Sequence, residues 1–354
     1  MRYYFVIYDN IIFFIFQLYI EIFMAKIYNI GRSTVSEGNM LFLYIGIGII
    51  LLAILGGALF GYFRAFYSPT KREVMSGQIP DSEQYKKAKE HIKELISYVN
   101  ELRFEEISIK SYDGTKLYGR YYHTKAGAPI QILFHGYKGS PMRDFCGGLL
   151  LALRSGFNVI MVDQRAHGKS GGNTICFGVK ERYDALAWVK FANENYGNAP
   201  TILTGISMGG ATVLMASELD LPHNVVGIIA DCPYSSPSEI IRKFCKDRGM
   251  NSKLVYPFAY LGALIFGRCV LNKASAYKAV QNTNIPILIF HGEEDSFVPV
   301  WMSRRVYNAC VSKDKFLYTF KGADHGMSYM SDNEKYESAY LNFTALCIDR
   351  YNKK

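Results

Sequence analysis

The pattern of hydrophobic and polar positions divides the chain into an apolar N-terminal part and a long alternating region. No charged residue lies between Gly38 and Phe63, and the run from Leu41 to Phe63 is almost continuously apolar. At 1.5 Å per residue, this run is long enough to cross a hydrocarbon core of about 30 Å. We therefore predict a transmembrane helix over residues 40–63. A buried core helix and a cleaved signal peptide fit less well, because the charge-free run is long for either.

The charges beside this helix predict its orientation. Arg64, Lys71 and Arg72 follow the apolar run, and positive residues favour the cytoplasmic side. The seven cysteines, which include no C-x-x-C pair, agree with a reducing compartment. We therefore expect a single-pass protein of the cell membrane whose main domain faces the cytoplasm. Lys26 and Arg32, before the span, weigh against this orientation if they belong to the native protein.

Residues 1–39 form an N-terminal segment with two possible interpretations. The apolar stretch from Ile11 to Ile20 lies between Asp9 and Glu21 and is short for a full membrane crossing. It fits a second hydrophobic segment, either as half of a hairpin or at the membrane interface. Alternatively the native start is Met40, and the assigned start is wrong.

After the apolar run, we assign residues 64–104 to a linker and an amphipathic helix. Between residues 81 and 102, apolar residues recur at spacings of three and four, which predicts a helix with one apolar face. We expect this helix to pack against the domain that follows.

From residue 105 to residue 354, short apolar runs alternate with helical patterns. Glu105–Lys110 and Lys116–Tyr122 flank an Asp-Gly turn and predict a hairpin. Six further runs follow: Ile130–Phe134, Val159–Val162, Thr201–Leu203, Val226–Ala230, Pro286–Phe290 and Phe316–Phe320. Apolar strands separated by helices predict an α/β fold with a mostly parallel sheet and helices on both faces.

Residues 234–283 interrupt the alternation and predict a small helical cap. The cap includes an apolar stretch, Leu254–Gly267, that is too short to span a bilayer. Two interpretations stay open for it. It is either a cap helix packed on the core, or an apolar lid that shapes an acyl pocket or touches the membrane.

Charge and motifs exclude several classes of partner. The chain carries 40 Lys and Arg against 31 Asp and Glu, a net charge of +9. Residues 1–63 are neutral overall, so the excess is scattered among acidic residues in the rest of the chain, without a basic block. We therefore expect no nucleic-acid partner. The sequence also contains no dinucleotide fingerprint, P-loop or metal-ligand cluster, so we expect no cofactor and no metal.

Polar residues follow the parallel runs, and in such sheets the loops at this edge carry the active residues. In chain order, five loops contain H-G-Y-K-G-S from His135, D-Q-R-A-H-G-K-S from Asp163, G-I-S-M-G-G from Gly205, D-S-F-V-P from Asp295 and D-H-G from Asp324. The G-x-S-x-G string predicts a sharp strand-to-helix turn at Ser207. The helix N-terminus beside it favours a developing negative charge. The order Ser, Asp, His is the one that this architecture requires.

Together these five strings resemble, in family order, those of the α/β-hydrolase superfamily. The similarity is greatest to its monoacylglycerol-lipase-like and serine-aminopeptidase-like branch, which has many membrane-anchored members. It covers the chain from about Glu105 to the end. The resemblance implies an α/β-hydrolase fold with a small helical cap and a Ser-His-Asp triad, and it says almost nothing about the substrate.

Chemistry and this resemblance together suggest roles for five residues. Ser207 is the expected nucleophile, since a hydroxyl activated by a base can form an acyl-enzyme. His325 is the expected general base, and Asp295 orients its imidazole. The resemblance assigns the oxyanion hole to the backbone N–H groups of Tyr137 and Met208, with the Tyr137 side chain as an aromatic wall or a third donor. The rival residues are His135, His167, His291, Asp231, Glu293 and Glu294.

We therefore expect a membrane-anchored serine hydrolase that cleaves carboxylic esters of a small molecule or a lipid. Lipid-like acyl esters are favoured because the anchor would hold the domain at a bilayer. A serine peptidase of aminopeptidase-like type is one alternative, with Glu181, Asp231 and Glu239 as guesses for a clamp on the substrate amino terminus. A catalytically inactive hydrolase fold that serves as a binding or scaffold protein is the other.

Overall fold

A computed structural model describes residues 37–68, 79, 83–86 and 88–353 of the chain. The expectations for residues 1–36, which concern the segment Ile11–Ile20 and the charges of Lys26 and Arg32, lie outside these residues. The same holds for Lys71 and Arg72. The apolar helix, the hydrolase-like region and the cap lie within them.

One eight-stranded sheet forms the centre of the described chain. Its strands are β1 (Glu105–Lys110), β2 (Lys116–Tyr122), β3 (Ile130–Phe134), β4 (Asn158–Asp163), β5 (Thr201–Ile206), β6 (Val225–Asp231), β7 (Ile287–Gly292) and β8 (Lys315–Phe320). Their order across the sheet is β1-β2-β4-β3-β5-β6-β7-β8. Strand β2 pairs antiparallel with both β1 and β4, and the remaining neighbours are parallel. The predicted mostly parallel sheet is confirmed.

Helices cover both faces of the sheet. They are α1 (Glu37–Ala65), α2 (Glu83–Lys86), α3 (Lys89–Glu101), α4 (Pro141–Arg154), α5 (Glu181–Tyr196), α6 (Met208–Ala216), α7 (Pro237–Asp247), α8 (Ser252–Ile265), α9 (Ala276–Ala279), α10 (Trp301–Ala309), α11 (Ser328–Ser331) and α12 (Asn333–Asn352). One core cluster lies under α3, α4 and α12, and the other lies under α5, α6 and the cap. Because both faces are covered, strands β3 to β7 are buried along almost their whole length, which explains their apolar sequences.

Two parallel strands extend beyond the C-terminal ends of their apolar runs by more than one residue. β5 continues to Ile206 rather than Leu203, and β7 continues to Gly292 rather than Phe290. The extra residues include a glycine and a histidine, which do not resemble strand residues. Hydrogen bonds to neighbouring strands hold them in the sheet, so the tertiary pairing sets the strand ends.

Helix α1 has an exposed part and a packed part. The side chains from Phe42 to Gly56 are exposed or half-buried, whereas Ala58 and Tyr62 of the helix and Phe66, just after it, are buried. The packed turns lie against α8 of the cap. Beyond the helix, the backbone N–H of Ile175 donates to the carbonyl oxygen of Phe66 over 2.8 Å. The C-terminal end of α1 is therefore part of the main core.

Candidate active site

Ser207 lies at the sharp turn between β5 and α6. Its backbone has φ 55° and ψ −114°, a conformation that is strained for a residue with a side chain. A methyl group at Gly205 would overlap the backbone of Gly209, and one at Gly209 would overlap the carbonyl oxygen of Phe134. The turn therefore needs glycine at both positions, which is the physical content of the G-x-S-x-G string.

Three side chains from three loops form a hydrogen-bonded row. The Oγ of Ser207 lies 2.9 Å from Nε2 of His325, and Nδ1 of His325 lies 2.7 Å from Oδ2 of Asp295. Asp295 follows β7 and His325 follows β8, so both come from the sheet edge that carries Ser207. The structure thus brings together the hydroxyl, imidazole and carboxylate on which the sequence analysis concentrated.

The side chain of Asp295 is completely buried. Its Oδ1 accepts hydrogen bonds from the backbone N–H groups of Phe297, over 2.9 Å, and Val298, over 2.7 Å. Its Oδ2 also lies 3.3 Å from Nε2 of His291. Burial acts to raise the pKa of Asp295, but the hydrogen bonds and charges of His291 and His325 outweigh it and hold this pKa well below its usual range. The carboxylate is therefore a permanent negative charge behind His325.

The rival histidines hold loops in place. The backbone N–H of Gln164 donates to Nε2 of His135 over 3.1 Å, and that of Lys138 donates to Nε2 of His167 over 3.0 Å. Burial lowers the pKa of both rings, that of His167 to about 3. His291 lies behind Asp295 with its Nδ1 2.6 Å from Oγ of Ser303.

Two of the rival carboxylates, Asp231 and Glu293, have other partners. Asp231 is buried, accepts a hydrogen bond from Ser328 over 3.1 Å, and has a pKa that burial raises. Glu293 accepts a hydrogen bond from the Thr319 hydroxyl over 2.7 Å. Among the described residues, the carboxylate bonded to the His325 imidazole is that of Asp295, which supports the choice made from the D-S-F-V-P string.

Tyr137 and Met208 flank Ser207, from the loop after β3 and from the start of α6. A methyl group at Gly136, next to Tyr137, would lie 3.4 Å from Cβ of Ser207, so this loop packs directly against the serine. The Tyr137 ring stacks on Phe177 at 5.1 Å, and its hydroxyl donates to the carbonyl oxygen of Ala65 over 2.7 Å. Because the hydroxyl is directed towards α1, the geometry favours the aromatic-wall interpretation over a third oxyanion donor.

A cavity of about 240 Å³ opens at Ser207. It extends between the sheet and the helices α4, α11 and α12, and none of the described residues 234–283 lines it. Its wall is mainly apolar, with Leu133, Leu151 and Ile229 among the lining residues. At about 30 Å³ for each water-sized group, this volume holds about eight such groups, which suits an acyl chain of moderate length.

Helix α2 covers the cavity from outside. Gln84 and Tyr85 of this helix line it, and the Gln84 side chain donates a hydrogen bond to the carbonyl oxygen of His325. Neither residue is among those predicted from the sequence, because a short helix without motif residues carries no signal of this contact.

The described cysteines offer few metal ligands. All seven are buried and free of disulfides. Cys232, Asp295 and His325 place ligand atoms within 4.8 Å of one another. Asp295 and His325 are already bonded to each other, and His325 to Ser207, so the hydrogen-bonded row accounts for this cluster without an ion.

Two family models match the chain. A model described as alpha/beta hydrolase fold matches residues 130–252, and one described as serine aminopeptidase, S33, matches residues 262–332. The first range contains Ser207, and the second contains Asp295 and His325. The chain belongs to the α/β-hydrolase superfamily, and its fold is that of a hydrolase.

Individual proteins resemble parts of the chain. The uncharacterized protein YqkD of Bacillus subtilis is 27% identical over 195 residues, which are 54% of this chain and 64% of that protein. The lysophosphatidylserine lipase ABHD12 of Danio rerio is 25% identical over 186 residues, which are 51% of this chain and 47% of that protein. The chain thus spans less than two thirds of the length of these curated relatives.

A solved structure shares the fold. The esterase Pf2001 of Pyrococcus furiosus has a TM-score of 0.58 at 21% sequence identity, and the alignment covers 78% of this chain and 99% of that chain. At this identity the likeness supports the fold alone.

Proposed function

We propose that this protein is a membrane-anchored serine hydrolase that cleaves carboxylic esters through an acyl-enzyme on Ser207. The observation that carries the proposal is the hydrogen-bonded row of Ser207, His325 and Asp295 at the mouth of an apolar cavity. A hydroxyl, an imidazole and a buried carboxylate in this order are the groups that nucleophilic acyl transfer requires.

In the proposed reaction, Oγ of Ser207 attacks the ester carbonyl while Nε2 of His325 accepts the hydroxyl proton. The negative oxygen of the tetrahedral intermediate is held by the backbone N–H groups of Tyr137 and Met208. The imidazolium, stabilised by the charge of Asp295, then returns the proton to the leaving alcohol. Water attacks the resulting acyl-enzyme by the same steps and releases the carboxylic acid.

Helix α1 supports the membrane anchor. Its apolar part, Phe42–Ala65, has 24 residues and a mean hydropathy of 2.5 over its most apolar 18-residue stretch, of which 6% is buried. A core helix of a soluble protein would be mostly buried. Removal of α1 as a signal sequence would expose the core around Phe66, so we propose that the helix is retained. Because positive residues favour the cytoplasmic side, we also propose that the domain after Arg64 faces the cytoplasm.

The proposed substrate is a carboxylic ester with an acyl chain of moderate length, taken from a lipid or from a small molecule. The apolar cavity supports the acyl group, and the anchor supports a lipid source because it holds the site at a bilayer. The likeness to a lysophosphatidylserine lipase agrees with an ester of this kind.

A serine peptidase is the second candidate, because one matching family model is described as serine aminopeptidase. The guessed clamp residues support it poorly. Glu181 accepts hydrogen bonds from the backbone N–H groups of Cys176 and Gly178, and Glu239 forms an ion pair with Arg305. Neither lines the cavity. Asp231 lines it but is bonded to Ser328.

The test is covalent labelling of the full chain, in detergent micelles and in nanodiscs, with a fluorophosphonate probe. Labelling should disappear in Ser207→Ala. It should persist in Ser296→Ala, which changes the serine that follows Asp295 and lies outside the hydrogen-bonded row. Turnover of p-nitrophenyl acyl esters should exceed that of aminoacyl p-nitroanilides, and the reverse preference would favour the peptidase. A folded wild-type protein that is not labelled in either environment would support the inactive binding protein instead.

A further inference from the structure

An exposed apolar face lies on the cap helix α8. Leu254 is 66% exposed, and Phe258 and Ile265 are each 37% exposed. Because these residues are four and seven positions apart, they lie on the same side of the helix. A soluble domain seldom leaves such a face open to water without a partner or a membrane to cover it.

This face is continuous with the apolar surface of α1. A methyl group at Gly57 would meet the Phe258 ring, and one at Gly61 would lie 3.0 Å from Cα of Ala259. The rings of Tyr62 and Phe266, the residue that follows α8, lie 5.8 Å apart. A methyl group at Gly262 would overlap the carbonyl oxygen of Ala58, so the close contacts of α8 are confined to the turns of α1 from Gly57 to Tyr62. The open face of α8 adjoins the exposed part of α1.

The length of α1 sets the depth of this contact. The apolar run outside the α8 contact, Leu41–Gly56, has 16 residues and rises about 24 Å at 1.5 Å per residue. A hydrocarbon core is about 30 Å thick, so α1 falls about four residues short of crossing it with this part alone. Those four residues come from Gly57–Phe60, the turns that contact α8. A full crossing by α1 thus brings Phe258 to the edge of the hydrocarbon.

Positive charges lie close to α1 and α8 in the sequence. Five exposed basic residues lie in these helices or close to them in the sequence: Arg64 in the last turn of α1, Lys253 in the first turn of α8, and Lys246, Arg248 and Arg268 outside α8. Lys and Arg beside an apolar helix are suited to the phosphate groups of a bilayer surface. A second protein chain would need an acidic rim to match them, and a membrane with anionic lipids supplies one.

We infer that the α8 face formed by Leu254, Phe258 and Ile265 inserts into the edge of the bilayer that α1 crosses. The inference rests on the proposed membrane anchor. The protein then contacts lipid through two helices packed on each other, which holds the catalytic domain in one orientation. The bond from Tyr137 to Ala65 places the loop beside Ser207 at the end of α1, so this orientation brings the site close to the lipid headgroups.

Site-specific fluorescence quenching tests the inference on the full chain. All seven native cysteines are buried, so a thiol-reactive fluorophore can be directed to single introduced cysteines, with the unmodified protein as the labelling background. The variants are Leu52→Cys in exposed α1, Leu254→Cys in α8, and Val311→Cys as an exposed apolar control before β8. Each labelled variant is reconstituted into nanodiscs of phosphatidylcholine and phosphatidylglycerol, with one chain per nanodisc. The lipids carry a quencher either at a shallow or at a deep position of the bilayer.

The expected result is a several-fold loss of fluorescence at Leu254→Cys with the shallow quencher, at Leu52→Cys with the deep quencher, and none at Val311→Cys. Quenching at Leu52→Cys without quenching at Leu254→Cys overturns the inference and leaves the anchor intact. Absence of quenching at both positions overturns the anchor itself. Protection of the Leu254→Cys label only when two chains share a nanodisc identifies a second copy as the occupant, and the inference is then wrong.

Discussion

The hydroxyl of Tyr137 donates a hydrogen bond to the backbone carbonyl of Ala65 over 2.7 Å. Ala65 is the last residue of the apolar helix α1, and Tyr137 lies in the loop that packs against Ser207. One side chain thus connects the proposed membrane anchor to the proposed oxyanion hole. In the same region Tyr62 bonds to Thr174 over 2.7 Å, so α1 is attached to the domain at more than one point.

The first prediction concerns this bond. Tyr137→Phe removes the hydroxyl but keeps the ring that stacks on Phe177. We expect a loss of about 0.5–1.5 kcal/mol in the free energy of unfolding, the usual value of one hydrogen bond, and a small decrease in turnover. Thermal unfolding in detergent and ester hydrolysis measure the two effects. A rate loss of about 10²–10³, typical of a lost oxyanion donor, would show that the hydroxyl itself contacts the reacting oxygen.

The second prediction separates the two buried aspartates. Asp295→Asn should lower kcat for an acyl ester by about 10⁴, because the amide cannot hold the imidazole in the required tautomer or stabilise its charge. Asp231→Asn, the matched change in the rival acid, should cost far less. Initial rates on one p-nitrophenyl ester compare them. Equal losses in both variants would contradict the assignment of Asp295.

The third prediction concerns pH. Burial lowers the pKa of His167 to about 3, whereas the ring in the unfolded chain titrates near 6.5. Between these values the unfolded state binds a proton that the folded state does not, so stability falls as the pH falls. From pH 7 to pH 5 this ring alone should cost about 2 kcal/mol, at 1.36 kcal/mol for each unit below 6.5.

The depressed pKa of Asp295 acts in the same direction, but only below the unfolded value of about 3.9. Denaturation in detergent at pH 7 and pH 5 therefore leaves out the Asp295 contribution. His167→Gln should reduce the difference in stability between the two pH values but not abolish it, because burial also lowers the pKa of His135. An unchanged difference would show that His167 is not the responsible group.

The fourth prediction tests the contact between α1 and α8. Gly61→Val places a side chain against the backbone of Ala259, which cannot move aside easily, so we expect a loss of about 1–3 kcal/mol from overpacking. Gly46→Val is the matched control in the same helix, since no residue that the structure describes lies within 4 Å of an added methyl group there. The change in Tm in detergent measures both. Equal effects at the two positions would argue against the packing.

The fifth prediction tests the cavity. Leu151→Phe adds volume to its lining and should reduce turnover of p-nitrophenyl octanoate relative to p-nitrophenyl acetate. Leu150→Phe changes the neighbouring residue of α4, which does not line the cavity, and should leave that ratio unchanged. An unaltered ratio in both variants would indicate that the acyl group binds elsewhere.

The sequence by itself determined the parts that depend on local pattern. Apolar runs at strand length predict β3 to β7, because a strand covered on both faces needs apolar residues at every position. The G-x-S-x-G string predicts the turn at Ser207 through the small residues that its backbone requires. The order of Ser207, Asp295 and His325 along the chain predicts that they meet, since the carboxyl ends of parallel strands lie at one edge.

Only the tertiary structure decided which distant surfaces meet. Gly57 and Gly61 have a spacing that is common in membrane helices, and nothing in it indicates that α8 is their partner. The direction of the Tyr137 hydroxyl and the position of the cavity under α4 rather than under the cap are equally silent in the sequence. The physical reason is that periodicity encodes which face of an element is apolar, whereas the partner of that face depends on shape and on contacts between residues far apart in the chain.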